Sequence, residues 1–381
     1  MERISQGLNP TVTNQFVTWN KGQGGHAFVL DTGINRCHPV FATPSWTSYA
    51  ACIASDPTLD SPTIPMSRVE VFFSPYKGYT ENKYFNSSYD FYSGHGSHVA
   101  SLLGGSGTGA APEASLYALV WDSDYDMMAA MSKVVEWAQL HPALPGVLNL
   151  SFTEPTRPNV GYCQMVKQLV RQGIVPVTAA ANAGSNAADF EPARCQWNIV
   201  VGNSAPFIDQ PRAVDRPAMS SNWGERIDVW APGSALGACA NPEVLAPPVP
   251  AEVEPRPGQP VRTATQCSTQ TGYEGNYRFF WDNGTSMAAP LTAGVATVYV
   301  AHTPHIDPPA LRRLVTETGA TRSAVASHAS VGTTNLLRST FLSKKILDVQ
   351  AAAFDLTSRY SRVSFEVKLA SAPAANVTVT I

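Results

Sequence analysis

SLYALVW (115–121), MMAAMSKVVEWAQL (127–140), VLNLSF (147–152), GYCQMVKQLVRQ (161–172) and IVPVTAA (174–180) together decide the fold. The first, third and fifth are short apolar runs of strand length. The second and fourth carry apolar residues three and four apart, as amphipathic helices do. Strand, helix, strand, helix predicts an α/β fold with a mostly parallel central sheet and helices on both faces. HAFVL (26–30) continues the pattern upstream and NIVVG (198–202) downstream. In such sheets ligands bind beyond the carboxyl ends of the strands, at a topological switch point. Chemistry is therefore expected where these runs stop.

The chain has 381 residues, 44% of them apolar, enough for a large core. Lys+Arg number 26 against 29 Asp+Glu, a net charge of −3. Without a basic surplus, neither nucleic acid nor an anionic membrane is an expected partner. No uninterrupted apolar run reaches the length of a transmembrane helix. The start, Met1 to Gln6, is polar, so an export signal is expected to lie outside this chain.

Six cysteines are dispersed, at 37, 52, 163, 195, 239 and 267, with no C-x-x-C pair. That tells against a zinc ribbon or a thioredoxin-type centre. It suits disulfides in an oxidising compartment; buried thiols in a cytosolic protein are the alternative. Cys163 opens one helical run and Cys195 precedes 198–202, so these two are expected to pair. Cys37–Cys52 and Cys239–Cys267 would be the remaining bridges. Residues 41–90 and 238–275 read as insertions, the second around the Pro-rich stretch 243–257, which forbids interior helix or central strand. From 344 to 381 the texture changes. Segments 363–369 and 377–381 alternate like half-buried strands, as a β tail or the start of a truncated β domain.

Four motifs carry the chemistry. In VLDTG (29–33), Asp31 ends a buried strand, where a carboxylate must be paired or hydrogen-bonded. Such a string also occurs in aspartic proteases, which want a second copy, and there is none. In GHGSHVA (94–100), glycines flank His95 at the start of a helical run. The alternatives are a His95/His98 metal pair or ordinary packing. In NGTSMAAP (283–290), Ser286 stands at a helix start, where free N–H groups suit a developing oxyanion; Thr285 or Ser286 could instead be a cap. In AAANAG (179–184), Asn182 can donate to an oxyanion or merely form a turn.

In the order Asp31, His95, Ser286 the strings gain weight. VLDTGI (29–34), GHGSHVASLLGG (94–105), NLSF (149–152), AAANAG (179–184), SSNWGERIDVWAPG (220–233) and GTSMAAP (284–290) resemble the subtilisin-like serine proteases, or subtilases. ERISQ (2–6) and GTTNLLRS (332–339) look like the mature start and the end of the proteinase K-like branch. The resemblance spans about residues 2–343, and a peptidase domain 1–343 is expected. It implies a three-layer subtilisin-like fold and serine endopeptidase action.

Carried over, it makes Ser286 the nucleophile, His95 the general base and Asp31 its orienting partner. Asn182 and the Ser286 N–H would form the oxyanion hole. The strand Asn149, Leu150, Ser151 and Phe152 would pair with an extended substrate, and Thr153, Ala180 and Ala181 would also bind it. No catalytic cofactor is implied. Asp228 matches an acid that helps hold a structural calcium in some members. The chain departs from the family where Thr153-Glu154 replaces Gly-Gly and Ala181 replaces Gly. Both changes add bulk near the pocket for the residue before the cut. The family's inhibitory propeptide is expected outside this chain, as is its export signal, with a secreted, monomeric product. Activity should rise with pH as His95 loses its proton, through the reference value of about 6.5. Two other readings stand beside this one: an inactive subtilase-like binding or adhesion module, and an esterase using Ser286, Asp307 and His328.

Overall fold

A computed structural model of the chain describes residues 21–76, 88–90, 94–156, 161–209, 212–234, 236–239, 279–318, 333 and 335–337. The strands are β1 His26–Asp31, β2 Val69–Phe73, β3 Ser115–Val120, β4 Gly146–Leu150, β5 Glu154–Pro155, β6 Ile174–Ala179, β7 Phe190–Glu191, β8 Ile199–Asp209, β9 Arg212–Pro217, β10 Val229–Pro232, β11 Leu236–Cys239 and β12 Phe279–Asp282. The helices are α1 Tyr49–Ala54, α2 His95–Gly104, α3 Asp124–Leu140, α4 Tyr162–Arg171, α5 Thr285–His302 and α6 Pro308–Arg313.

The main sheet runs β10-β8-β6-β4-β1-β3-β2, all parallel, with β9 antiparallel on β8. Residues alternate between its faces. Ala27, Val29, Val147, Val177 and Val201 join α2 and α5 in one core. Phe28, Leu30, Leu148, Leu150 and Tyr117 join α3 and α4 in the other. Covered on both faces, the strands read as near-continuous apolar runs. The result is the expected three-layer α/β fold, a mostly parallel sheet with helices on both faces.

Chain order reverses at β1: β3 and β2 lie on one side of it, β4 and the later strands on the other. The β1/β4 crevice is thus the switch point. Asp31 is the last residue of β1, and Ser151 follows β4.

Local chemistry sets the helix ends. Ser123 caps α3 by accepting from the Asp126 N–H at 3.2 Å, and Asp124 and Asp126 face the positive end of its dipole. The helix therefore begins three residues before its apolar pattern. Helix α5 is buried on nearly its whole circumference. Its apolarity is that of a core helix, and among the described residues no helix is long and apolar enough to cross a membrane.

Part of the stretch read as an insertion, 41–90, is integral: β2 pairs with β3 and forms the sheet edge. Described residues before β2 fold around the disulfide Cys37–Cys52 and a buried Arg36–Asp56 ion pair, which Tyr89 also bonds. Cys163–Cys195 is the second disulfide. Near the chain's later part, Trp230 is fully buried and donates to the Thr333 carbonyl at 2.7 Å. Leu336 and Leu337 are buried too. The pair Cys239–Cys267, the Pro-rich loop, His328 and the tail 344–381 lie outside the described residues, wholly or in part.

Candidate active site

Asp31 is 3% exposed at the carboxyl end of β1. Its Oδ1 accepts the Thr32 N–H at 2.8 Å and lies 2.7 Å from His95 Nδ1. His95 is the first residue of α2, aimed at Asp31 by a close helix–turn contact. A Cβ on Gly96 would lie 2.1 Å from the Gly33 carbonyl oxygen and 3.0 Å from Asp31 Cβ. Glycine at 96 serves this close approach.

Burial alone would lower the His95 pKa. The Asp31 carboxylate, aided by Asp90 and Asp282, outweighs it and pushes the imidazole up to about 9. The direction is upward from the reference value of 6.5. The ring is 30% exposed, so solvent screens part of the pull. We expect kcat/KM to rise with pH through a midpoint above 6.5 and below about 9. The stability that protonated His95 adds runs the other way. It is present in full below about 6.5 and is lost as pH rises through the folded-state value. Rate and melting temperature measured from pH 5 to 10 should therefore diverge; a parallel rise would refute the sign.

Ser286 opens the first turn of α5, half-buried. In this conformation its Oγ donates to the Ser151 carbonyl at 3.0 Å and not to His95. The Ser151 hydroxyl donates back to the Ser286 carbonyl at 2.9 Å. That carbonyl is available because Pro290, four residues on, has no N–H to give it. Asn149 completes the chain, donating to Ser151 Oγ at 2.9 Å.

Asn182 follows β6 and is exposed. Its Oδ1 accepts from the Thr285 N–H at 2.9 Å and from Thr285 Oγ1 at 3.1 Å. With the oxygen so anchored, the NH₂ is the half left to donate. The loop is pinned by buried Asn222, whose Oδ1 accepts the Ala183 N–H at 2.9 Å. The Ser286 N–H lies in the first turn of α5, where helix donors lack intrahelical partners.

The proposed substrate strand needs correction. Asn149 and Leu150 pair with β1 on one side and β6 on the other, and both are fully buried. A central strand has no free edge, so neither can pair with substrate. Only Ser151, Phe152 and Thr153, past the strand's end, remain for that. The Phe152 ring packs 5.8 Å from Trp121 and 6.2 Å from Tyr162. Ala180 is buried and ladder-bonded to Val201.

Ala181 has φ +81°, a left-handed conformation that costs a side chain about 1–2 kcal/mol. Its carbonyl is held by the Asn222 N–H at 2.9 Å. Ala181→Gly should relieve the strain at a smaller unfolded-state cost, a net gain of about 0.5–1 kcal/mol. Denaturant unfolding checks this; a loss of stability would mean the strain is illusory.

Other readings fare less well. Asp307 caps α6 by accepting the Ala310 N–H at 2.6 Å. That role explains it without an esterase. His98 is fully buried, and among the described residues no three His, Cys, Asp or Glu side chains could hold a metal. Asp228 does not fit a cation. Its carboxylate takes Arg312, the Val200 N–H at 2.9 Å and a second guanidinium, Arg226, at 3.9 Å.

The structure thus joins Asp31 and His95 across β1 and α2 and sets Ser286 at the start of α5. The Peptidase S8 model, described as the subtilase family, matches residues 27–338; the chain belongs to that family. Alkaline serine exoprotease A of Vibrio alginolyticus is 24% identical over 333 residues, covering 87% of this chain and 48% of that protein. The extracellular serine proteinase of Thermus sp. (strain Rt41A) is 24% identical over 311 residues, covering 81% and 58%. The chain spans about half the length of the curated relatives it matches. The solved structure of a cold adapted subtilisin-like serine proteinase shares the fold, with TM-score 0.62 at 22% identity, covering 88% of this chain and 96% of that one.

Proposed function

We propose that the protein is a serine endopeptidase that hydrolyses peptide bonds through an acyl-enzyme on Ser286. The observation that carries the reading is the 2.7 Å bond between His95 Nδ1 and Asp31 Oδ1 at the switch point. Asp31 fixes the tautomer that leaves Nε2 as the base. For the reaction the Ser286 hydroxyl leaves the Ser151 carbonyl and donates to His95 instead. Oγ attacks the carbonyl carbon as Nε2 takes its proton. The oxyanion accepts from Asn182 Nδ2 and the Ser286 N–H. His95 then protonates the leaving amine, and water repeats the sequence on the ester.

The substrate is an extended polypeptide lying along Ser151, Phe152 and Thr153, with Ala181 opposite. The Thr153 and Ala181 side chains narrow the pocket before the cut and disfavour large aromatics. Disulfides and the extracellular relative support a secreted protein. The domain proposed is 1–343, followed by the β tail.

The bond from Ser286 to Ser151 favours one competitor, an inactive binding module. Digestion of a denatured protein by the purified chain, with fragments read by mass spectrometry, separates them. Cleavage that is absent from Ser286→Ala supports the peptidase. Intact substrate and no fluorophosphonate label on Ser286 supports the binder.

A further inference from the structure

One buried carboxylate beside His95 has no part in the triad. Asp90 is 3% exposed, at the end of the stretch read as an insertion. Its Oδ1 accepts from Thr32 Oγ1 at 2.7 Å and the Gly94 N–H at 2.9 Å. Its Oδ2 accepts from the Ser97 N–H and the Ser97 hydroxyl, both at 2.8 Å. A buried carboxylate is costly unless its oxygens are satisfied, and here each has two donors.

The donors define its role. Gly94 is the N-cap of α2 and has no side chain with which to cap it. A helix leaves its first N–H groups without partners. Asp90 supplies the cap from outside, through Ser97, the third residue of the helix. Thr32 takes another first-turn donor, the Gly96 N–H, at 3.0 Å. Thr32 is also joined to Asp31, its N–H donating to Oδ1 at 2.8 Å. Bonds thus run from Asp31 through Thr32 to Asp90 and into α2, and His95 closes the ring on Asp31.

We propose that Asp90 is a positioning residue for His95: it caps the helix that presents the imidazole and, through Thr32, holds that helix against Asp31. The inference rests on the triad reading above. Among the described residues, the charged groups acting on His95 include Asp31 from β1, Asp90 ahead of α2 and Asp282 from β12. Burial pushes the Asp90 carboxyl up to about 6 against its hydrogen bonds. Where it is ionised, it adds its field to that of Asp31.

A cap that only stabilised the fold would shift the melting temperature and nothing else. Asp90→Asn keeps the shape, removes the charge and turns an NH₂ toward N–H donors. In the full chain, the His95 pKa read by NMR is expected to fall by about one unit. The signal is assigned by its loss in His95→Gln, and no substrate is needed. On a chromogenic peptide, kcat should fall about 10- to 100-fold with KM little changed. A folded Asp90→Asn with an unshifted His95 pKa overturns the proposal. Should that variant not fold, Thr32→Val keeps the carboxylate and cuts the bridge. It should lower kcat by a similar factor, and Thr32→Ser should restore it; wild-type kcat in Thr32→Val overturns the proposal. Failure of the triad reading shows separately, as cleavage that survives Ser286→Ala.

Discussion

Replacing Ser286 by alanine is expected to lower kcat by about 10⁶-fold, the loss known for a subtilisin nucleophile, and to leave the fold intact. The first half follows from what the hydroxyl would do. It alone can form the acyl-enzyme, and the remaining catalysis over water, about 10³–10⁴, comes from binding and the oxyanion donors. The second half follows from its surroundings. The Ser286 side chain makes one hydrogen bond, to the Ser151 carbonyl, worth about 1 kcal/mol. Alanine is the better helix former, which offsets part of that. The bond that anchors the start of α5, from Ser151 Oγ to the Ser286 carbonyl, uses the backbone and survives. Turnover and thermal unfolding should be measured on the same preparation. Activity within about a hundredfold of wild type, in a folded variant, would remove Ser286 from the mechanism.

The sheet was legible where strands are buried on both faces. Runs such as 26–30 and 174–180 advertise β1 and β6 because parallel strands under helices need unbroken apolarity. Edge elements carry no such signal. VEVFF in β2 is only partly buried, and β8 continues to Asp209 through Pro206, a residue that argues against strand. The Asp31–His95 contact was legible because each residue sits in a short string whose neighbours are fixed by packing, as Gly96 is by Gly33. Asp90 was not. Its partners come from three places, Thr32, Gly94 and Ser97, and only the fold brings β1 and α2 together. Its φ of +59° suits an Asp, which tolerates the left-handed region, but no local pattern marks it. Asn149 and Leu150 were misplaced for a related reason. A sequence run shows that a strand is buried, not which neighbours flank it, and β4 proves to be central.

Asn182 offers the other large effect. Asn182→Ala should lower kcat by about 10²–10³ with KM nearly unchanged, because the donor would act on charge that exists only in the transition state. Alanine alone is ambiguous, since Asn182 Oδ1 also receives the Thr285 N–H and hydroxyl. Loss of that anchor would leave the N–H at the head of α5 unpaired and disturb Ser286 beside it. Asn182→Asp separates the two roles. It keeps an oxygen for Thr285 and puts a second, negative oxygen where the NH₂ stood. An oxyanion donor replaced by an anion repels the developing charge, so the aspartate should be at least as inactive as the alanine. Its melting temperature should stay closer to wild type, because the anchor remains. The opposite ranking, with an active aspartate and a crippled alanine, would mean that Asn182 holds Thr285 in place and donates no hydrogen bond to the intermediate. The oxyanion would then depend on the Ser286 N–H and the field at the start of α5, and loss of either could be tested next by backbone ester substitution at Ser286.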